Sequence, residues 1–287
     1  MQTSSTIKLI AAALAAQFLT LAVTTTVYAQ SARSNTVSKA IGLPENAKDK
    51  ALMEQPTPRL PDGTVDLGGD GVWSLPYITD FSKVLVDTKQ IPYMPWSHAL
   101  MMYNRYTTDK KYDPEGFCLP PGGPRMFATP YPARFIQEQD HKKIDVLFEG
   151  GTHIWRQIFM DGRPHPTGPN VTPTFFGHSV GHWEGDTLVI DTVGFNEETW
   201  LAYSGQPHTN QLHTIERITR PNFGTLHYEA TIIDPGAYTK PWTVAWNIPW
   251  HPHQELQEYI CQQNNKYLAD LKDDLGEPFF KVDQPAP

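Results

Sequence analysis

The chain is 287 residues long with 39% hydrophobic and 11% aromatic residues, which excludes a disordered polymer and suits one large domain or two small ones. Its 26 prolines and 20 glycines exclude a long helical bundle, because proline breaks helices and both residues punctuate short elements with turns. A formal net charge of −8, with no stretch that concentrates Lys or Arg, excludes a protein that tracks a nucleic-acid backbone.

At the N-terminus, Lys8, the mostly apolar residues 9–23 and the Val27-Tyr28-Ala29 step before Gln30 have the form of a secretory signal. Residues 1–29 are therefore expected to be removed, leaving a periplasmic or secreted protein. Gln17 and Thr20 interrupt the apolar run, and no later segment holds about 18 uninterrupted apolar residues, so no membrane span is expected in the mature chain. Residues 30–60 are polar and aperiodic and read as a linker or arm. Residues 61–275 read as one domain and residues 276–287 as a tail. In an oxidising compartment the two cysteines, Cys118 and Cys261, suggest one disulfide closing a loop of about 140 residues.

The predicted elements begin with turns at Pro61-Asp62-Gly63 and Gly68-Gly69-Asp70-Gly71 and a strand start at Val72-Trp73. Residues 96–106 suit a short helix, and Cys118-Leu119-Pro120-Pro121-Gly122-Gly123-Pro124 a rigid loop. From residue 134 strand signals become dense. Runs at 134–137, 143–149, 153–159, 178–183, 187–192, 213–219, 225–233, 241–248 and 256–261 are separated by turn residues, of which Glu184-Gly185-Asp186 marks the clearest hairpin. Only residues 265–274 look helical at the end. Short strands in succession, with no helices between them, argue against a parallel doubly wound sheet. They favour an all-β, antiparallel up-and-down β-barrel with an irregular N-terminal region and a short C-terminal helix.

Several phrases carry a resemblance: Asp113-Pro114, Cys118-Leu119-Pro120-Pro121-Gly122, Asp161-Gly162-Arg163-Pro164-His165-Pro166, Gly181-His182-Trp183-Glu184-Gly185-Asp186-Thr187-Leu188, Val193-Gly194-Phe195-Asn196, and Pro207-His208 to Leu212-His213 with Glu216-Arg217. Through them the chain resembles a large family of secreted, uncharacterised bacterial proteins over about residues 57–265. The resemblance implies no particular activity. Gly71-Val72-Trp73 is also similar to the Gly-x-Trp opening of lipocalin barrels, which implies a lipocalin-like barrel.

The candidate chemistry lies in two polar clusters. His208, His213, Glu216 and Arg217 form the denser one. Alternation puts His213 and Arg217 on one strand face and Glu216 on the other, and a neutral imidazole beside a guanidinium suits a base with an anion clamp. Asp161, Arg163 and His165 sit in a Pro/Gly turn where a site could gather, and are expected to meet the first cluster at one barrel mouth. Glu149, Arg156 and Tyr259 interrupt apolar text and either face water or, with Trp155, line a polar pocket; Glu149 and Arg156 would have to pair if both faced inward. His251, His253 and Glu255 have extended-chain metal spacing, but a surface turn explains them better. Gly177-His178-Ser179-Val180-Gly181 is a literal Gly-x-Ser-x-Gly string placed before a hairpin rather than between strand and helix, so it does not predict a hydrolase. No phosphate loop or dinucleotide fingerprint occurs, and no cofactor or resident metal is expected.

The function expected is a barrel with an interior pocket for a small, mostly apolar molecule, working by acid–base isomerisation, hydration or elimination. A pure binding protein and a His-dependent metalloenzyme are the alternatives. The expected partner is a small-molecule ligand or substrate; ligand identity and oligomeric state are not legible.

Overall fold

The computed structural model describes residue 51 and residues 54–262. The signal segment, the first part of the arm, the expected helix at 265–274 and the tail lie outside the described residues. Nine strands, β1 (Gly71–Ser74), β2 (Pro132–Gln137), β3 (Lys143–Phe148), β4 (Trp155–Phe159), β5 (His178–Glu184), β6 (Thr187–Val193), β7 (His213–Asn222), β8 (Thr225–Ile233) and β9 (Trp242–Pro252), form a closed barrel in sequence order. β1 closes the ring by pairing with β9, Trp73 opposite Trp250. Closure removes the sheet edges that so many short strands would otherwise expose.

Every neighbouring pair is antiparallel except β4 and β5, which run parallel. The alternation expected of an up-and-down barrel therefore breaks at one seam. The connection of residues 160–177 carries the chain from one end of the barrel to the other. Register at this seam is limited to Ile158 with Ser179 and Phe159 with Val180, so the first half of β4 has no ladder partner on that side. Residues 256–261, expected as a strand, form none.

Alternation fixes the inner face. On β7, Thr214, Glu216, Ile218 and Arg220 are buried while His213, Ile215, Arg217 and Thr219 are partly exposed. The segment foreseen as a rigid loop has a larger role. It leads into the 3-10 turn Gly123–Ala128, which extends past the expected loop and whose residues are all buried and plug the lumen. Phe127 stacks on Tyr228 of β8 at 4.6 Å and meets Phe148 of β3 edge-on at 5.4 Å. Its carbonyl accepts from Trp246 Nε1 of β9 at 3.2 Å. Each such fully buried ring contributes roughly 1.5–3 kcal/mol. Arg125 anchors the plug by a bidentate pair to Asp113, at 2.8 and 2.6 Å, and a bond to Glu115 at 2.7 Å. The disulfide Cys118–Cys261 is formed, its partners separated by 143 positions in sequence.

The helix lies close to its expected place: α1 (Pro95–Met102) continues into a π-helical turn, Tyr103–Thr107. A second helical turn, α2 (Gly150–His153), joins β3 to β4. The end of the arm is docked rather than free, since Gln55 O accepts from Phe223 N and Arg59 grips Asp186 at 2.9 and 2.6 Å. Among the described residues no helix is long and apolar enough to cross a membrane.

Candidate functional site

Where β4 and β5 part, a cleft of about 660 Å³ opens under the 160–177 connection. Its walls are mostly apolar, from Pro120, Ile154, Trp155, Phe159, Phe175 and Phe176, with Arg156, His178, Ser179, Asn170 and threonines as polar points. The seam explains its position. Two parallel strands joined at only two positions leave a gap in the barrel wall, and the long crossover roofs it.

Arg156 projects inward at this gap. Its Nη1 donates to Glu216 Oε1 at 2.9 Å, its Nη2 donates to Glu216 Oε2 and to Thr192 Oγ1, and its Nε donates to Ser179 Oγ at 3.1 Å. Tyr228 OH donates to Glu216 Oε1 at 2.6 Å. Both members of the ion pair are fully buried. Burial opposes the charge on Arg156, but Glu216 outweighs it and holds the guanidinium above its ordinary value. Burial, followed by the charge of Glu216, pushes the Tyr228 phenol far up. Ser179 is thus held as an acceptor by Arg156 and Thr192, on the face of β5 opposite His178. The Gly-x-Ser-x-Gly string therefore does not align a serine with a base.

On the outer face of the same strands lies a second network. Register sets Asp191 beside Val180 on one side and Ile215 on the other, so His178 and His213, two residues earlier on β5 and β7, flank it diagonally. His213 Nε2 lies 2.8 Å from Asp191 Oδ1. His165, from the connection, reaches the same oxygen through Nε2 at 3.0 Å and meets His178 Nδ1 with its own Nδ1 at 2.9 Å. The acceptor character of the carboxylate sets the tautomers. His165 donates from Nε2, its Nδ1 then accepts from His178 Nδ1–H, and the lone pair of neutral His178 is left on Nε2. Burial, then the nearby His165 and Arg163, keeps the His178 pKa below its ordinary value. Its ring stacks on Phe159 at 5.2 Å and forms part of the cleft wall.

Comparison with protein-family models, curated proteins and solved structures finds no match to this chain.

Of the residues proposed from sequence, His213 and His165 do come together, but through Asp191, which sequence reasoning passed over as one more strand residue. His208 does not join them. It is buried elsewhere, with Nε2 at 2.8 Å from Thr199 Oγ1 and Nδ1 toward Thr209 O, and burial lowers its pKa. Arg217 turns outward to Glu184 at 2.8 Å. Asp161 and Arg163 clasp each other on the surface, which holds the Asp161 carboxyl down to about 2. Glu216 and Arg156 pair with each other in the core, and Glu149 instead accepts from Gln257 N at 2.7 Å in a loop. Tyr259 lies in a loop rather than a strand and packs on Tyr131 at 4.6 Å. Trp155 is 56% exposed and lines the cleft rather than the core. His253 bonds Asp70 at 2.6 Å, in keeping with a surface turn. Among the described residues no three His, Cys, Asp or Glu side chains are arranged to hold a metal ion. In the sequence His178 stands out only as a member of the serine string, which hides it. The signal that could have found it is that His178 and Asp191 both fall on the polar phase of otherwise apolar strands.

Proposed function

We propose that this is a small-molecule pocket protein working by acid–base chemistry without a cofactor, as an isomerase, hydratase or lyase would. The ligand is uncharged, mostly apolar and flat enough for the aromatic walls, because Arg156, the cation in the cleft wall, has its charge met by Glu216 and directs four of its five N–H donors to Glu216, Thr192 and Ser179. The observation that carries the reading is the unbroken path from the cleft through His178 and His165 to Asp191. His178 Nε2 accepts a proton from the ligand, and His165 and Asp191 stabilise the resulting imidazolium, a role in which positioned bases contribute about 10²–10⁴-fold.

The site differs from the interior pocket expected from sequence, since Phe127 and its neighbours occupy the lumen and the cleft opens through the wall. A lipocalin-like character is supported at the start of β1, where Trp73 is buried beneath the Arg220 guanidinium at 4.9 Å. The disulfide favours a periplasmic or secreted location. The motifs quoted above support membership of the secreted bacterial family that the chain resembles.

The test starts from the molecule that co-purifies with periplasmically expressed protein, identified by mass spectrometry and then incubated with the protein in D2O. The wild type should place deuterium at one carbon, and His178→Ala should slow this by about 10²-fold or more while retaining the molecule. Equal incorporation by both proteins would sink the role of His178. Retention with no exchange by either favours the second reading, a non-catalytic binder, which the pairing of Arg156 with Glu216 also suits.

A further inference from the structure

We propose that the protein docks peripherally on an anionic phospholipid bilayer through the outward face of α1 and the π-helical turn that continues it. The helix is amphipathic in the inverted sense. Its buried seam is Ser97, Met101 and Asn104, spaced i, i+4, i+7. Two of these three are polar and satisfied inside, Ser97 Oγ by Ala237 O at 2.5 Å and Asn104 Nδ2 by Gly205 O at 3.2 Å. The solvent side instead carries Trp96, Leu100, Met102, Tyr103 and Tyr106, with exposures from 38% at Leu100 to 64% at Tyr106. A helix normally turns such residues to the core. Ten large hydrophobic side chains are exposed among the described residues, and half of them lie on this one element.

The composition fits a lipid interface better than a protein groove. Trp and Tyr combine an apolar ring with a polar tip and concentrate at the headgroup level of membranes. The hydroxyls of Tyr103 and Tyr106 carry no hydrogen bond among the described residues, so both tips are available to headgroups. The stretch of residues 88–108 contains no Asp or Glu, in a chain with 31 of them. Cations flank its start. Lys89 precedes the helix, and Lys240 follows Thr239, whose N–H donates to Pro92 O at 2.8 Å. Both lysines are exposed and make no ion pair among the described residues. They complement anionic headgroups, whereas a second copy docked on this face would bring like charges together. A convex aromatic face with a basic edge is the form of an interfacial helix, which lies on a membrane without spanning it.

Sedimentation with sucrose-loaded vesicles tests this on the full chain. Wild type should bind vesicles of equal parts phosphatidylcholine and phosphatidylglycerol, more weakly in high salt, and bind pure phosphatidylcholine less. The variant Leu100→Ser/Tyr103→Ser/Tyr106→Ser should lower binding by about tenfold or more with an unchanged melting temperature, since it alters exposed side chains alone. Lys89→Glu/Lys240→Glu should weaken binding to the anionic vesicles only. The proposal is overturned if wild type sediments with neither vesicle, or if the triple variant binds as wild type does. It is equally overturned if wild type ignores vesicles but forms a concentration-dependent dimer that the triple variant abolishes.

Discussion

The inner and outer faces of β5, β6 and β7 carry two polar networks back to back, built from alternate residues of the same strands. Inside are Ser179, Thr192 and Glu216 with Arg156; outside are His178, Asp191 and His213 with His165. The inner network is almost wholly buried and commits four of the five N–H donors of its guanidinium, so removing one of its charges strands the other. The outer one is partly exposed, and its imidazoles and carboxylate keep contact with solvent. The same backbone thus supports a buried ion-pair network and a partly exposed imidazole–carboxylate chain one residue away, and burial sets the two apart.

The sharpest way to break this contrast is to remove one inner charge. Glu216→Ala leaves Arg156 buried without a counter-charge and should cost about 3–5 kcal/mol, read from urea unfolding. Arg156→Met/Glu216→Leu, which removes both charges at similar volume, should recover most of that loss. If Glu216→Ala is nearly neutral, water must reach Arg156 through the cleft and the inner network is not sealed.

A buried histidine outside either network sharpens the comparison at a smaller scale. His208→Ala strips Thr199 Oγ1 of its acceptor and Thr209 O of its donor, and should cost about 1–3 kcal/mol. Loss of catalysis from this variant without loss of stability would return His208 to the site, where sequence reasoning first put it.

That misplacement shows what could be read from the chain. Hairpins separated by Gly/Asp turns, the cysteine pair and the helix at α1 were legible because each is local or forced by count. Opposite facing of His213 and Glu216 was legible from period-two alternation. The partner of Glu216 was not, because Arg156 is 60 residues away and reaches it only after the barrel closes. The parallel seam was hidden too, since residues 160–177 resemble any long loop, and with it went the reason for a cleft at β4 and β5. His208 and His213 sit five residues apart in sequence, yet β7 begins at His213, so His208 belongs to the preceding loop and its own pocket.

The pH dependence next sets the outer network against a buried histidine. His178 and His208 both have pKa values held below the ordinary 6.5, burial being the first cause in each. Between the folded and unfolded values the unfolded chain binds more protons. The stabilising contribution is therefore complete above the unfolded value and is lost as pH falls through the folded one. Melting temperature should be flat above about pH 7 and decline below about 6.5. His208→Gln should flatten that decline more than His178→Gln, because His208 is the more deeply buried of the two. An equal effect of both substitutions would mean that His178 is as closed to solvent as His208.

The smallest expected change in stability belongs to His213. Its imidazole shares Asp191 Oδ1 with His165 but is absent from the cleft wall, and both it and Asp191 are about one-third exposed. A pair of that exposure contributes about 0–1 kcal/mol, so His213→Ala should leave the unfolding midpoint close to wild type. The chain from His178 through His165 to Asp191 remains intact in that variant, so proton exchange on the bound molecule should slow by less than about tenfold. His165→Ala severs the chain and should slow exchange about as much as His178→Ala, by about 10²-fold or more. Comparing the two substitutions at equal stability isolates the path itself. If His213→Ala abolishes exchange while His165→Ala spares it, the proton travels by His213, and the base is the residue that the sequence first suggested.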